Sequence, residues 1–368
     1  MPHQRIVVKF GTSTLTAGTP NLSLPQMVEL ARQVSALHSA GNLVILVSSG
    51  AIAAGKEALN HPDLPKFIPS KQMLAAVGQP RLMALYAQLF GLFGKTVAQV
   101  LLTSQDLSDR QRYLNAFNTL EALLSQSVIP IINENDTVAT EEIRFGDNDN
   151  LSAMVANLVG ADLLLLLTDQ AGLFTADPRS TKDATLVREV ATPDIPEELW
   201  QAAGGAQTRL GTGGMVTKLQ AADLARRSGT MVVIAHGGEK DILLRIAAGE
   251  AIGTRLLPVI TTLENRKRYI LSGRRTRGVV RVDDGAVNAL RKGGSLLPVG
   301  VTALEGGFNR GDTVRIVSPS GNEIALGLVN YAAKDMELLR GRQSSEIESL
   351  LGYTFGDEVI HHNNLFLL

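Results

Sequence analysis

Apolar residues in the first two-thirds of the chain fall into two alternating patterns. Short β-branched or leucine-rich runs occur at Ile6–Val8, Leu43–Val47, Val97–Leu102, Val128–Ile132, Leu163–Leu167 and Met231–Ile234. Between them the period lengthens. From Met27 to Leu37, apolar side chains occupy positions 27, 28, 30, 31, 34 and 37, which is one helical face, and Gly41 supplies a stop. Ser70–Phe90, Tyr113–Leu124 and Leu151–Val159 read the same way. Strands alternating with helices predict an α/β fold with a largely parallel, buried sheet.

The pattern changes near residue 260. Arg266-Lys267-Arg268 and Arg274-Arg275-Thr276-Arg277 form a basic stretch with no acidic residue before Asp283. Strand-like segments at Gly278–Val282, Thr313–Ile316 and Glu323–Val329 follow, separated by turns such as Glu305-Gly306-Gly307 and Ser318–Gly321. These predict a small, mainly β second domain. The expected division is a first domain over 1–260, a linker over 261–275 and a second domain over 276–368.

Composition narrows the function classes. The 368 residues carry a net charge of −1, so no global field points to nucleic acid or an anionic membrane. The absence of cysteine excludes disulfides, iron–sulfur clusters, thiolate zinc sites and cysteine nucleophiles. No signal-peptide pattern precedes the first strand-like run. The longest apolar runs, such as Leu163–Leu167, fall far short of the ~20 residues that span a bilayer. A soluble, cytoplasmic protein without a membrane partner is expected.

Parallel sheets bind ligands beyond the carboxyl ends of their strands. The residues at those positions are Lys9-Phe10-Gly11-Thr12-Ser13, Ser48-Ser49-Gly50, Asn133-Glu134-Asn135-Asp136 and Thr168-Asp169. Turn formation accounts for any one such set. Four in register, one bearing a lysine, point to a site. Gly211-Thr212-Gly213-Gly214-Met215-Val216-Thr217-Lys218 leads into an apolar-periodic helix. It reads either as a loop cradling an anion at a helix N-terminus, with Lys218 one turn further on, or as a flexible loop with a solvated lysine.

Two near-matches are set aside. Gly50 to Gly55-Lys56 resembles a P-loop, but Glu57 stands where a magnesium-ligating hydroxyl is needed. Gly146-Asp147-Asn148-Asp149-Asn150 suggests a calcium loop, but Ser152 and Leu158 replace its required glycine and glutamate. Capping of the following helix explains one of these polar residues. The surplus suits contact with a substrate ammonium or carboxylate, or with a lysine. The six histidines form no metal cluster and no evident Ser-His pair. An alcohol acceptor usually wants a general base, whereas a carboxylate is already ionised at pH 7. Phosphoryl transfer to a carboxylate needs mostly positioning and charge neutralisation, which two lysines, glycine loops and an orienting Asp supply.

These motifs, in this order over most of residues 1–260, resemble the amino acid kinase family. Within it they are similar to the branch that phosphorylates L-glutamate. Residues 276–354 resemble a PUA domain, a pseudo-barrel that this branch carries. The resemblance implies a three-layer sandwich followed by a PUA-like domain. It implies ATP as co-substrate, and Mg2+ held mainly by nucleotide phosphates with no protein metal ligand named. Lys9 and Lys218 would stabilise the transferring group and Asp149 would orient them. The ATP site would comprise Lys9, Gly11, Thr168, Asp169, Thr212, Gly213, Gly214, Met215, Val216, Thr217 and Lys218. Ser49, Asp136 and Asn148 would bind L-glutamate, with Asn133 and Asp147 as further candidates. Homo-oligomers and feedback inhibition by proline are also implied. Relatives acting on aspartate or N-acetylglutamate are the alternatives. The single β-rich tail argues against aspartokinases, and the Asn133–Asp136 motif with that tail favours glutamate. RNA binding through the tail is a different class of reading. Residues 264–368 hold 14 basic and 12 acidic residues, and this near balance speaks against it.

Overall fold

The computed structural model describes residues 4–139, 148–204, 214–261 and 276–368. The chain divides into two units, Met1–Ser108 with Ala116–Thr262, and Asp109–Asn115 with Leu263–Leu368. The cut is therefore not a single point near residue 260. The short segment 109–115, at the start of the helix Arg110–Ser125, groups with the C-terminal residues.

The first unit is built on eight strands. They are β1 (Arg5–Phe10), β2 (Leu43–Ser48), β3 (Val97–Leu102), β4 (Ile129–Glu134), β5 (Leu163–Thr168), β6 (Glu189–Val190), β7 (Met231–His236) and β8 (Thr254–Leu256). Their order is β3-β4-β2-β1-β5-β7-β8-β6. Six strands run parallel, and β8 turns antiparallel against β7. All six apolar runs read from the sequence are strands of this sheet. Leu163 to Thr168 are buried along their whole length because β5 lies between β1 and β7 with helices on both faces.

One face is covered by α2 (Leu24–Ser39), α3 (Ala51–Ala58), α4 (Ile68–Gly91) and α10 (Ile242–Ala247), whose buried side chains join Ile6, Val8, Phe10, Val44 and Leu46 in one core. The other carries α7 (Asn148–Val159) and α9 (Met215–Arg227), which pack on each other and on β1, β5 and β7. The arrangement is a three-layer sandwich. Strand alternation decides what each face receives. In β1, Ile6, Val8 and Phe10 point into the first core, which turns Lys9 towards α7 and α9.

The P-loop look-alike has a packing explanation. Gly55 lies inside α3, and a methyl there would overlap the carbonyl of Leu74 in α4. A methyl at Gly78 of α4 would likewise overlap the carbonyl of Ala51. The two glycines let the helix backbones touch, so packing accounts for the glycines of this pattern.

The second unit has a five-stranded sheet, β9 (Gly278–Val282), β10 (Val301–Glu305), β11 (Thr313–Val317), β12 (Glu323–Leu328) and β13 (Leu365–Leu367), in the order β10-β9-β11-β12-β13. Only the β9–β11 pair is parallel. Val280, Val282, Val314, Ile316 and Tyr331 form its core with side chains from three short helices. Among the described residues no helix is long and apolar enough to cross a membrane.

Candidate active site

The carboxyl ends of β1, β2, β4 and β5 meet the first turns of α7 and α9. At that junction lies a fully buried charge cluster. Asp149 is 0% exposed and Lys9 is 1% exposed. Lys9 Nζ stands 2.5 Å from Asp149 Oδ1, and Lys218 Nζ 3.2 Å from Asp149 Oδ2. The hydroxyl of Thr217 donates to the same Oδ2 at 2.8 Å. A lysine from residue 9 and another from residue 218 thus share one carboxylate.

The electrostatics follow from this geometry. Burial by itself raises the pKa of Asp149, because a dry interior disfavours the charged form. The charges of Lys9 and Lys218, with hydrogen bonds from Lys9 and Thr217, outweigh burial and hold the carboxyl low, at about 2. The aspartate is ionised at neutral pH and fixes two ammonium groups.

Beside the cluster opens a cavity of about 900 Å3. It is bordered by Lys9, Gly11, Thr168, Asp169, Gly214, Met215 and Lys218, as well as by Thr12 and Ser13. Gly11 gives the backbone close passage, since a methyl there would come within 3.3 Å of Lys9 Nζ. Val216 and Thr217, also among the expected ATP contacts, do not border it. Val216 is buried in the protein, and the Thr217 hydroxyl serves Asp149. Thr212 and Gly213 lie outside the described residues.

A second polar corner forms where β2, β4 and α7 converge. The Nδ2 of Asn148 donates towards Ser48 O at 3.0 Å, Ser49 Oγ at 3.0 Å and Asn133 Oδ1 at 2.9 Å. Its Oδ1 is buried with no hydrogen-bond partner among the described residues. Ser49, Asn133 and Asn148 are thus brought together. Asp136 lies half-buried in the turn after β4, where burial pushes its carboxyl above the ordinary value. Asp147 lies outside the described residues. The helix α7 starts at Asn148, three residues earlier than the apolar pattern indicated, so Asn148, Asp149 and Asn150 are its inward-facing first turn and not a cap ahead of it.

Sequence reasoning missed several residues. The cavity's outer wall is Leu173–Arg179 and the stretch Glu198–Gly204, represented by Phe174, Arg179 and Gln201. Gln79 accepts from Asn133 Nδ2 at 2.8 Å, and Tyr86 hydrogen-bonds Ser48 from below at 2.7 Å. The only advance signal was the Thr168–Leu173 motif, which leads into the first of these segments.

What the arrangement can do is bind polyanionic charge against two buried, preorganised lysines, next to a corner of amide and hydroxyl groups suited to a small polar acceptor. Among the described residues no group of three or more His, Cys, Asp or Glu could hold a metal ion.

Comparison with known proteins bears on these groups. Residues 4–236 match the amino acid kinase family and residues 278–351 match the PUA domain. The glutamate 5-kinase of Shewanella sediminis is 53% identical over 367 residues, covering 100% of this chain and 98% of its own. That of Herpetosiphon aurantiacus is 54% identical over 364 residues, with 99% and 98% covered. That of Deinococcus radiodurans is 53% identical over 367 residues, with 99% and 100% covered. Among solved structures, UMP kinase from Bacillus anthracis aligns with a TM-score of 0.48 at 16% identity, over 71% of this chain and 98% of that one. With matches at this identity along its whole length, the chain belongs to the amino acid kinase family and, within it, to the glutamate 5-kinases.

Proposed function

We propose that the enzyme transfers the γ-phosphoryl group of ATP to the side-chain carboxylate of L-glutamate, giving ADP and L-glutamyl 5-phosphate, the first step of proline biosynthesis from glutamate. The observation that carries this reading is the single buried carboxylate of Asp149 clamping Lys9 and Lys218 beside the large cavity. An oxygen of the glutamate carboxylate attacks the γ-phosphorus. The bond to the β–γ bridging oxygen breaks, and ADP leaves with its electron pair. The acceptor is ionised at pH 7, so no general base is needed. Lys9 and Lys218 neutralise charge on the moving group, and Asp149 keeps both at fixed positions.

Gly11, Thr168, Asp169, Gly214 and Met215 border the nucleotide, with Thr212 and Gly213 in the adjoining segment. Ser49, Asn133 and Asn148 bind glutamate, and the open acceptor of Asn148 suits its ammonium. Asp136 and Asp147 complete that set. Magnesium fits this donor set through the nucleotide's phosphates, because both Asp149 oxygens already serve lysine and threonine donors. The ion would supply further neutralisation of phosphate charge. Family membership supports a cytoplasmic homo-oligomer inhibited by proline. The near-balanced charge of the C-terminal domain supports a structural or regulatory part for it over RNA binding.

Oxygen labelling tests the chemistry. Glutamate carrying 18O in its side-chain carboxylate is incubated with ATP, enzyme and hydroxylamine. Hydroxylamine attacks the acyl carbon and releases phosphate that retains the attacking oxygen. One 18O in that phosphate is expected, and unlabelled phosphate alone would refute attack by the carboxylate.

A further inference from the structure

The lining of the cavity that Lys218 borders also includes α8 (Glu197–Ala202). Glu198, Gln201 and Ala202 border the cavity, followed by Ala203 and Gly204. Yet α8 has no buried side chain of its own. A helix of this length has no independent stability, so its place is set by whatever anchors the chain beside it.

That anchor lies just upstream. Ile195 is buried, and the three residues before it are held from α9. Arg226 is 0% exposed, and its Nη2 donates to the carbonyl oxygens of Thr192 and, at 2.9 Å, Pro193. The nearest carboxylate, Asp223 Oδ1, is 4.0 Å from Arg226 Nε, too far for a hydrogen bond. The neighbouring Arg227 reaches Asp194 at 2.8 Å, but in solvent, where such pairs contribute little. A buried guanidinium donating to backbone carbonyls is a charge-assisted contact, stronger than a neutral one.

We propose that Arg226 is a positioning residue for the nucleotide, holding α8 in place along the cavity lining. The proposal rests on reading that cavity as the ATP site. Lys218 and Arg226 are eight residues apart on α9, about 12 Å along the axis. One helix therefore carries the cavity-lining lysine near its start and the clamp on the segment leading into α8 near its end.

The chain's only tryptophan, Trp200, lies in α8, so its fluorescence reports on that wall alone. The variant Arg226→Lys keeps the charge and the apolar stem but loses the planar fork. ADP affinity is measured by calorimetry, and Trp200 exposure by acrylamide quenching. The expected result is an ADP Kd raised about tenfold with stronger quenching, while KM for glutamate stays within about twofold and kcat at saturating ATP within about threefold. A folded variant with parental ADP affinity would overturn the proposal. So would a fall in kcat with both KM values unchanged, which would make Arg226 structural only. If Arg226→Lys does not fold, Ile195→Ala loosens the same anchor and must show the same nucleotide-selective loss, with parental affinity again overturning the idea. A parental protein that fails to bind ADP would sink the nucleotide reading itself, an outcome distinct from equal binding by parent and variants.

Discussion

Asp149→Asn removes one charge and keeps the shape of the side chain. Lys9 and Lys218 then face each other without the carboxylate between them. Breaking a buried ion pair by removing one partner costs about 3–5 kcal/mol, and two lysines share this carboxylate, which places the loss at about 5 kcal/mol. For a unit of this size each kcal/mol moves Tm by roughly 2–4 °C, so a drop of roughly 10–20 °C is expected at pH 7. Calorimetry measures it. Dependence on pH gives an internal check. The carboxyl's pKa is depressed in the folded protein, so its contribution is complete above the ordinary carboxylate value of about 4. That contribution is lost as pH falls through the folded value of about 2. The Tm gap between parent and variant should therefore narrow steadily from pH 4 towards pH 2. Activity should also fall by about 100-fold or more in kcat, because the lysines lose their fixed positions. A Tm within about 2 °C of the parent at pH 7, or a gap that does not narrow in acid, would refute the reasoning.

Two further substitutions probe separate parts of the account. Lys218→Ala should lower kcat by about 100-fold or more in steady-state assays with ATP and glutamate, and a change confined to KM would make Lys218 a simple binding residue. Gly78→Ala forces a methyl onto the Ala51 carbonyl and should lower stability to urea by about 1–3 kcal/mol or more, with KM for both substrates unchanged in the folded fraction.

Much of this architecture was legible because buried parallel strands read as continuous apolar runs. All six central strands emerge that way, and the helices over 24–39, 68–91, 110–125 and 148–159 emerge from their longer period. The edge strands β6 and β8, of two and three residues, are too short to carry a pattern. In the second unit β13, of three residues, escaped for the same reason, while β10 went unread although it is as long as β9. The residues of the buried charge cluster were legible where a rule made them conspicuous. Lys9 interrupts an apolar strand, and Asp149 sits in a run of polar residues too long for a cap. The outer wall was not legible. Phe174–Arg179 and α8 have no period, and their part in the cavity exists only once the chain has folded back. Nothing in the sequence sets Arg226 apart from its neighbour Arg227. Burial separates it from Arg227, and burial is a tertiary fact. Gly55 resembled chemistry, was set aside because Glu57 follows Lys56, and proves to be a packing contact with α4.

The reaction itself is tested most directly with hydroxylamine, which converts an acyl phosphate into a hydroxamate that gives a coloured ferric complex. The full chain is assayed with ATP and magnesium, in parallel against L-glutamate, L-aspartate and N-acetyl-L-glutamate. ATP-dependent hydroxamate is expected from L-glutamate, with much less from the other two acceptors. No hydroxamate from L-glutamate, or an equal signal from aspartate, would contradict the proposed reaction.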